Sequence, residues 1–286
     1  MSDPRAAENL VNLDDYPLLA PDSEGYQQLV RRLQTSLNES GSASLANFLK
    51  PEAIELMADE AQALAPLAYA GPNEATPYFF DYDTIKHLES DHPVKRNNPR
   101  RLSQVAYDLI PPESALHRLY HWQPLPDFLA DVLGFENLYQ MTDHYQSLNI
   151  SIMDEGGCQQ WHFDRGIFVT TLLLQQSESG GVFEYVPNIR EDDDEHFDEV
   201  GAVIEGDRSR VRQITIQAGM LNLFKGHYSM HQVTPVQGDQ RRIQTALAYS
   251  PSADRQGNLK SSLLHYGPRV AIRAGLTKSQ KQELLN

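Results

Sequence analysis

The chain has 286 residues, and its length, composition and charge exclude several classes of protein. Hydrophobic residues make up 40% of it and charged residues 22%, which is ordinary globular usage and excludes wholesale disorder. Lys and Arg number 24 against 39 Asp and Glu, so the formal net charge of −15 would repel the phosphates of a nucleic acid. We therefore expect no nucleic-acid partner.

Membrane insertion and disulfide formation are also not expected. No apolar run reaches the roughly eighteen residues that cross a bilayer, so no membrane partner is predicted. The start of the chain, Met1 to Arg5, lacks the basic flank and apolar stretch of a secretory signal, and Cys158 is the only cysteine. A cytoplasmic location is the default expectation. The sequence makes no prediction of oligomeric state.

The first half of the chain predicts helices. Residues 1–24 are polar and interrupted by prolines, so they predict an irregular N-terminal arm before a single domain over 25–286. From Gly25 the apolar spacing predicts an amphipathic helix, and Pro51 opens a second one. Residues 72–101 predict a long ordered loop. Two more helices are predicted over 113–122 and 126–133, the latter ended by Gly134.

After about residue 138 the hydrophobic period changes from helical to alternating. Residues 147–153 alternate polar and apolar, which is typical of a strand with one buried face. Similar short runs follow at 167–175, 182–186, 211–216, 220–224, 231–236 and 242–249. They predict an all-β core, a sandwich or barrel, with flanking α-helices. The acidic connection 189–210 predicts a solvated loop, and a lid over the site is the alternative.

Three residues of the strand-rich half predict an iron site. His162 and Asp164 are two positions apart, so on a strand they share a face while Phe163 points away into packing. His231 lies far downstream. Two imidazoles and one carboxylate on one face of an octahedral ion are the ligand set of non-haem Fe(II) oxygenases, and they leave positions for a cosubstrate and O2. We predict that His162, Asp164 and His231 bind Fe(II).

Two arginines after His231 predict an anion clamp. If their strand and that of His231 were antiparallel neighbours, one arginine would lie beside the metal site. There its planar guanidinium would make a bidentate pair with a dicarboxylic acid that also chelates the iron. Arg241 and Arg242 face opposite ways on a strand, and we favour Arg242 because it shares a face with Gln244. That both arginines are exposed partners of acidic loops remains the alternative.

Further polar residues are candidates for binding the cosubstrate and the substrate. Asn149 and Ser151 share one face of the predicted strand 147–153 and are predicted, with Gln244, to hydrogen-bond the cosubstrate. Asp143 and Tyr145 precede the first metal-binding strand and are candidates for binding a cationic side chain.

The motifs WHFD, VTTLLLQ, GGVFEYVPNIR, HQVTPVQGD and RR together resemble the Fe(II)/2-oxoglutarate-dependent oxygenase superfamily. Within it, the chain is most similar to the free-standing amino-acid halogenases and hydroxylases that act on lysine-like substrates. The resemblance implies a double-stranded β-helix, or jelly roll, with N-terminal helices packed on it. It implies Fe(II), with 2-oxoglutarate and O2 as cosubstrates and Arg242 as the 2-oxoglutarate clamp. It also implies that Arg100 or Arg101 serves the substrate.

On this resemblance, residues 25–286 form one catalytic domain. Helical support and substrate loops occupy 25–140, the jelly-roll core occupies 141–253, and a C-terminal segment occupies 254–286.

One position distinguishes two reactions within that group. In the halogenating members a small residue replaces the carboxylate and leaves a coordination site for chloride, whereas this chain keeps Asp164. The resemblance therefore implies hydroxylation of an unactivated C–H bond of a free amino acid, favouring a basic one such as lysine, with release of succinate and CO2. The alternatives are an oxygenase of a peptide or carrier-bound aminoacyl group, a cupin-like metal-dependent lyase or isomerase without 2-oxoglutarate, and a non-catalytic binding barrel.

Overall fold

The structure, a computed structural model, describes residues 3–79 and 81–285. The first two residues of the predicted arm and the last residue of the predicted C-terminal segment therefore lie outside the described residues. The helices are α1 (Ala7–Leu10), α2 (Glu24–Ser40), α3 (Pro51–Leu64), α4 (Ala115–Tyr120), α5 (Pro124–Leu133), α6 (Phe197–Ile204), α7 (Leu259–Tyr266), α8 (Pro268–Arg273) and α9 (Lys278–Leu285). Among these described helices, none combines the length and the apolarity that a membrane crossing needs.

The strands form two larger antiparallel sheets and two short ribbons. In chain order they are β1 (Ser42–Leu45), β2 (Tyr69–Ala70), β3 (Glu74–Ala75), β4 (Asn98–Arg101), β5 (Ser103–Val105), β6 (Tyr139–Gln140), β7 (Leu148–Met153), β8 (Cys158–His162), β9 (Val169–Gln175), β10 (Ser179–Gly180), β11 (Phe183–Val186), β12 (Arg212–Ile214), β13 (Leu221–Phe224), β14 (Met230–Val233), β15 (Val236–Gln237), β16 (Arg242–Leu247) and β17 (Tyr249–Ser250). The seven-stranded sheet has the order β1-β13-β9-β16-β7-β5-β2, and the six-stranded sheet has the order β12-β11-β14-β8-β4-β3. The ribbons are β10-β15 and β17-β6.

The helices of the first half begin and end where their sequence predicts. The Ser23 hydroxyl accepts a hydrogen bond from the Tyr26 N–H at the start of α2, and Gly41 ends that helix with a left-handed φ of 69°. Pro51 occupies the first turn of α3. Gly134 ends α5 in the same way as Gly41, with φ 74°. These predicted helices are confirmed.

Helices α2 to α5 pack on the outer face of the seven-stranded sheet. Leu148, Ile150 and Ile152 of β7 point into this core together with apolar residues of α2, α3 and α5. The alternation predicted for residues 147–153 is therefore confirmed. The opposite face of β7 looks into the space between the two sheets, where Met153 packs against Phe183 of β11 and other apolar residues.

Three predicted irregular segments contain regular structure. Residues 7–10 of the N-terminal arm form α1, and its Leu10 is buried in the main core. The segment 72–101 contains β3 and β4, since Pro99 is the only one of its prolines that lies in a strand and the β4–β8 pairs are made by Arg100 and Arg101. The acidic connection 189–210 contains α6, whose Val200 and Val203 are buried. The acidic residues 191–194 are exposed and lie outside helices and strands, as predicted for a solvated loop, whereas the second half of the connection has an apolar face that packs.

Candidate metal centre

His162, Asp164 and His231 converge at one point between the sheets. One ligand atom from each residue lies within 4.8 Å of the ligand atoms of the other two. The His231 Nε2 is 3.3 Å from an Asp164 carboxylate oxygen, and the two imidazole ring centres are 4.1 Å apart. Both histidines are buried, whereas the Asp164 side chain is partly exposed. This spacing matches three ligands around a single ion.

Strand pairing places the two histidines, and a loop places the carboxylate. His162 of β8 lies directly opposite His231 of β14. β8 ends at His162, so the prediction that Asp164 shares a strand face with His162 is wrong. Instead, the Asp164 N–H donates to the Gly226 carbonyl at 2.9 Å, which fixes the loop. A Cβ at Gly226 would lie 1.9 Å from an Asp164 carboxylate oxygen, so only glycine leaves room for this side chain.

The chemical state of the histidines fits a metal ligand role. The Nδ1 atoms of His162 and His231 lie 2.7 Å from the Gln160 carbonyl and 3.0 Å from the Ser229 carbonyl, so each ring donates through Nδ1 and its Nε2 carries the lone pair that a metal ion needs. Burial, followed by the neighbouring His231, lowers the pKa of His162 well below its ordinary value. The imidazole is then neutral near pH 7, as metal binding requires. The donor set therefore fits Fe(II).

Arg242, at the start of β16 in the seven-stranded sheet, is a buried cation. It is 3% exposed, and burial lowers its pKa to about 10. Its guanidinium donates to the Gln244 side-chain oxygen at 2.5 Å, and within the described chain it has no carboxylate in ion-pair range. A Cβ at Gly181 would lie 3.0 Å from the Arg242 side chain, so glycine keeps space around it. A buried guanidinium without a counter-ion fits a carboxylate ligand such as 2-oxoglutarate.

The strand pairing of Arg242 differs from the predicted one. β16 pairs with β7 and β9, whereas β14 belongs to the other sheet. The expectation that the strands of His231 and Arg242 are neighbours is therefore wrong, because β15 intervenes and pairs with β10. The two neighbouring arginines differ in exposure. Arg241 is partly exposed and pairs with Asp154 at 3.1 Å.

The residues predicted to surround the cosubstrate lie on the inner face of the same sheet. Ser151 of β7 is opposite Gln244 of β16 and also opposite Gln104 of β5. The Gln104 side-chain amide lies 3.3 Å from the Ser151 hydroxyl and 3.5 Å from the Asn149 oxygen. The structure thus brings Asn149, Ser151 and Gln244 together, and it adds Gln104, which sequence reasoning did not single out.

Of the two arginines predicted for the substrate, Arg100 is the buried one. It is 4% exposed, and burial lowers its pKa to about 10. One guanidinium nitrogen donates to Gln104 at 2.9 Å, and its Nε is buried without a hydrogen-bond partner. Arg100 lies close enough to His162 to lower the pKa of that imidazole. Arg101 is exposed on the opposite side of β4.

Asp143 and Tyr145 do not join the metal centre. The Asp143 carboxylate accepts hydrogen bonds from the backbone N–H groups of Tyr145, Gln146 and Gly257, at 2.7, 2.7 and 2.8 Å. The Tyr145 ring stacks on Tyr266 and packs among apolar residues of the C-terminal helices. Both side chains therefore hold the C-terminal segment against the core.

Two neighbours of His162 were missed. The Gln159 side-chain nitrogen lies 3.0 Å from the His162 Nε2, and the Phe79 ring centre lies 4.9 Å from the His162 ring centre. Phe79 has a φ of 54°, which is unusual for a residue other than glycine. No local sequence pattern marks either residue as a neighbour of His162. Gln159 is one of several polar residues of β8, and Phe79 lies in a loop that is distant from His162 in the sequence.

A cavity of about 1130 Å³ begins at Asp164. Its polar lining includes Asp81, Arg165, Arg190, Glu195 and His227. Its apolar wall is formed by Phe135, Met141, Phe168, Leu247 and Tyr249. Arg165 donates to the Ser261 hydroxyl of α7 at 2.8 Å, so α7 holds this lining residue in place.

Two facing antiparallel sheets with a His–Asp–His ligand set between them define the class of non-haem iron oxygenases that use 2-oxoglutarate. Solved structures support this fold. AviO1 from Streptomyces viridochromogenes Tue57 is 18% identical, with a TM-score of 0.53 over 80% of this chain and 97% of that chain. The epimerase SnoN, in complex with Fe3+, alpha ketoglutarate and nogalamycin RO, is 14% identical, with a TM-score of 0.53 over 78% of this chain and 84% of that chain. The predicted fold is confirmed.

The chain belongs to the Halogenase D family, whose model matches residues 83–265, more than half of the sequence. The matched region contains β4, the three metal ligands and Arg242. No curated protein matches the chain.

Proposed function

We propose that this protein is an Fe(II)- and 2-oxoglutarate-dependent dioxygenase that hydroxylates an unactivated C–H bond of a free amino acid. The observation that carries the proposal is the convergence of His162, Asp164 and His231 in the same interior as the uncompensated guanidinium of Arg242. When bound, iron and 2-oxoglutarate supply the oxidation of a C–H bond by O2, which yields the alcohol, succinate and CO2.

The protein's own contribution is to hold the reactants. His162, Asp164 and His231 would hold iron, with the Nε2 atoms of the imidazoles fixed toward it by the carbonyl partners of Nδ1. Arg242, oriented by Gln244, would bind the distal carboxylate of 2-oxoglutarate. The surrounding apolar side chains exclude water, which strengthens these charge interactions.

The fixed position of the Asp164 carboxylate favours hydroxylation over halogenation. Gly226 leaves room for this carboxylate, since a Cβ at that position would overlap it. A carboxylate held in that position would occupy the place that a halide needs. The product is therefore proposed to gain oxygen and not chlorine.

Arg100 is the proposed partner of the substrate carboxylate. It is buried next to His162, its Nε lacks a partner, and no carboxylate of the described residues pairs with it. A basic side chain, which the resemblance favours, would need a different anion from the predicted Asp143. Asp81 lines the cavity and has no ion-pair partner among the described residues, so it is the proposed group.

The size of the cavity favours a second candidate substrate. A volume of about 1130 Å³ with an apolar wall exceeds what one free amino acid fills. A peptide or carrier-bound aminoacyl group would use this additional space. The two candidates differ in whether a free amino acid alone triggers succinate formation.

The proposal is tested by reconstituting the protein with Fe(II) without oxygen and then adding 2-oxoglutarate, O2 and single free amino acids. The expected result is a mass gain of one oxygen with matching succinate, lost in Asp81→Asn for basic amino acids only. Turnover without 2-oxoglutarate would instead support the lyase or isomerase alternative. A chlorinated product with Asp164 intact would contradict the argument from the carboxylate.

A further inference from the structure

A second cluster of polar residues lies beside Asp164, and it is centred on Arg190. Arg190 is 6% exposed and follows β11 at the start of the acidic segment Glu191–Glu195. Its guanidinium pairs with the Glu195 carboxylate at 2.9 Å. The charge of Arg190 is therefore compensated, in contrast to the charges of Arg100 and Arg242.

The remaining N–H donors of Arg190 bind the loop at residues 226–227, which holds Asp164 in place. One guanidinium nitrogen lies 3.1 Å from the His227 Nδ1, and the Arg190 Nε donates to the His227 carbonyl. The His227 ring in turn lies next to the backbone of Asp164. On the other side of this loop, the Asp164 N–H donates to the Gly226 carbonyl at 2.9 Å. Residues 226 and 227 thus hold Asp164, and Arg190 holds residue 227.

Arg190 also contacts the residue between two of the metal ligands. Its guanidinium carbon lies 4.1 Å from the centre of the Phe163 ring, a cation–π distance, and 5.5 Å from that of the Tyr78 ring. Phe163 stands between His162 and Asp164 in the chain. Arg190 therefore fixes both the loop that accepts Asp164 and the side chain next to it.

The acidic segment Glu191–Glu195 is held in place by contacts with Arg190 and with Tyr228, the residue after His227. Besides the Arg190–Glu195 pair, the Tyr228 hydroxyl donates to the Asp192 carboxylate at 2.7 Å. The backbone N–H of Ile189 donates to the Tyr228 carbonyl at 2.9 Å. Both ends of the segment carry residues in the left-handed region, Asn188 with φ 46° and His196 with φ 47°. Such a conformation persists when surrounding contacts determine it.

We propose that Arg190 is a positioning residue that couples the acidic segment Glu191–Glu195 to the metal centre by holding the His227 loop against Asp164. The inference rests on the metal site of the proposed function. Residues behind a metal ligand fix its orientation, and their loss typically weakens metal affinity by about 10- to 100-fold. If the acidic segment Glu191–Glu195 opened, the Arg190–Glu195 contact would break and Asp164 would be held less firmly.

The test is a titration of the metal-free protein with Co(II), followed by the visible absorption of the bound ion, for Arg190→Met, Arg190→Lys and Glu195→Gln. Arg190→Met should weaken Co(II) binding by about 10- to 100-fold and change the spectrum at saturation. Arg190→Lys should recover part of the affinity, because it restores the charge without the planar fork. Glu195→Gln should weaken binding less than Arg190→Met.

The matched control is Arg208→Met. Arg208 lies over the Trp161 ring at 5.4 Å and donates to the Val203 carbonyl at 2.9 Å, so it stacks on the same apolar cluster without holding the His227 loop. It should leave Co(II) affinity and the spectrum unchanged. Equal losses in Arg190→Met and Arg208→Met, or wild-type affinity and spectrum in Arg190→Met, would overturn the inference. Absence of Co(II) and Fe(II) binding by the wild-type protein would instead refute the metal site itself.

Discussion

The two faces of the seven-stranded sheet carry opposite kinds of residue, and on β7 the outer apolar positions are buried while the inner polar ones are half-buried. The outer face of β7 places Leu148, Ile150 and Ile152 against the helices. Its inner face places Asn149 and Ser151 in a row of amides and hydroxyls that also includes Gln104 and Gln244, the partner of Arg242. Burying polar groups is unfavourable unless they find partners. The difference indicates that the outer face stabilises the fold, while the inner face is built for ligands.

Removing one metal ligand is expected to lower iron binding and turnover more than any of the other substitutions. His231→Ala takes away one of two imidazoles, so iron binding and turnover should fall to background. The outer-face core does not depend on His231, so the circular dichroism spectrum should stay that of a folded protein. Iron content after desalting and succinate release measure the effect, and a variant that retains one iron per chain would contradict the ligand assignment.

Neighbouring residues of β7 provide a matched test of the two faces. Ile150→Ala should destabilise the protein by about 3 kcal/mol through lost packing, and leave 2-oxoglutarate affinity unchanged. Ser151→Ala should change the unfolding free energy little and weaken 2-oxoglutarate binding. Denaturant unfolding and cosubstrate titration measure both quantities in each variant. If the two variants changed the same quantity, the two faces would not have separate roles.

Arg242→Met tests the charged part of the inner face. Loss of charge-assisted hydrogen bonds should weaken 2-oxoglutarate binding by about 2 to 3 kcal/mol, roughly a hundredfold. Without 2-oxoglutarate, the variant should be at least as stable as the wild type, because an uncompensated buried charge has been removed. A clear loss of stability in the absence of 2-oxoglutarate would show instead that Arg242 is a structural residue.

Acid should destabilise the metal-free protein through its buried histidines. Burial lowers the pKa of His162 well below 6.5 and that of His265 to about 3. The unfolded chain therefore takes up more protons than the folded one below pH 6.5, and the unfolding free energy falls as the pH falls. Each of these two histidines contributes up to about 1.4 kcal/mol between pH 7.5 and 5.5. Denaturant unfolding at pH 7.5 and 5.5 measures this, and His265→Gln should reduce the difference; higher stability at pH 5.5 would contradict it.

The smallest effect is expected at Arg241. Its side chain is 36% exposed and its ion pair with Asp154 is solvated, so Arg241→Met should change stability by less than about 1 kcal/mol. Cosubstrate affinity should stay the same. Comparison with Arg242→Met under identical conditions gives the control, and equal effects of the two variants would remove the distinction between the neighbours.

The sequence was sufficient for features that depend on local spacing. Helix α2, with Ser23 before it and Gly41 after it, and the alternation of β7 both follow from neighbouring residues. The metal ligands were predictable because His162 and Asp164 are close in sequence and His231 completes a chemically specific set. Arg242 was favoured because its face is shared with Gln244.

Features that depend on distant partners were not predictable. Nothing local indicates that β14 and β16 belong to different sheets, or that Asp164 depends on Gly226. Asp143 looked like a substrate carboxylate, yet its oxygens are used by backbone N–H groups, one of them 114 residues away at Gly257. The role inferred for Arg190 likewise comes from contacts with residues 163 and 227 that only folding creates.

The central claim is that His162, Asp164 and His231 bind one iron next to a guanidinium that grips 2-oxoglutarate. Its most direct test is an oxygen-free titration with Fe(II) and 2-oxoglutarate, followed by the visible charge-transfer absorption of the iron–2-oxoglutarate chelate. The account predicts an absorption band that saturates at one iron per chain, disappears in His231→Ala, and needs roughly a hundredfold more 2-oxoglutarate in Arg242→Met. A band that persists unchanged in both variants would contradict it.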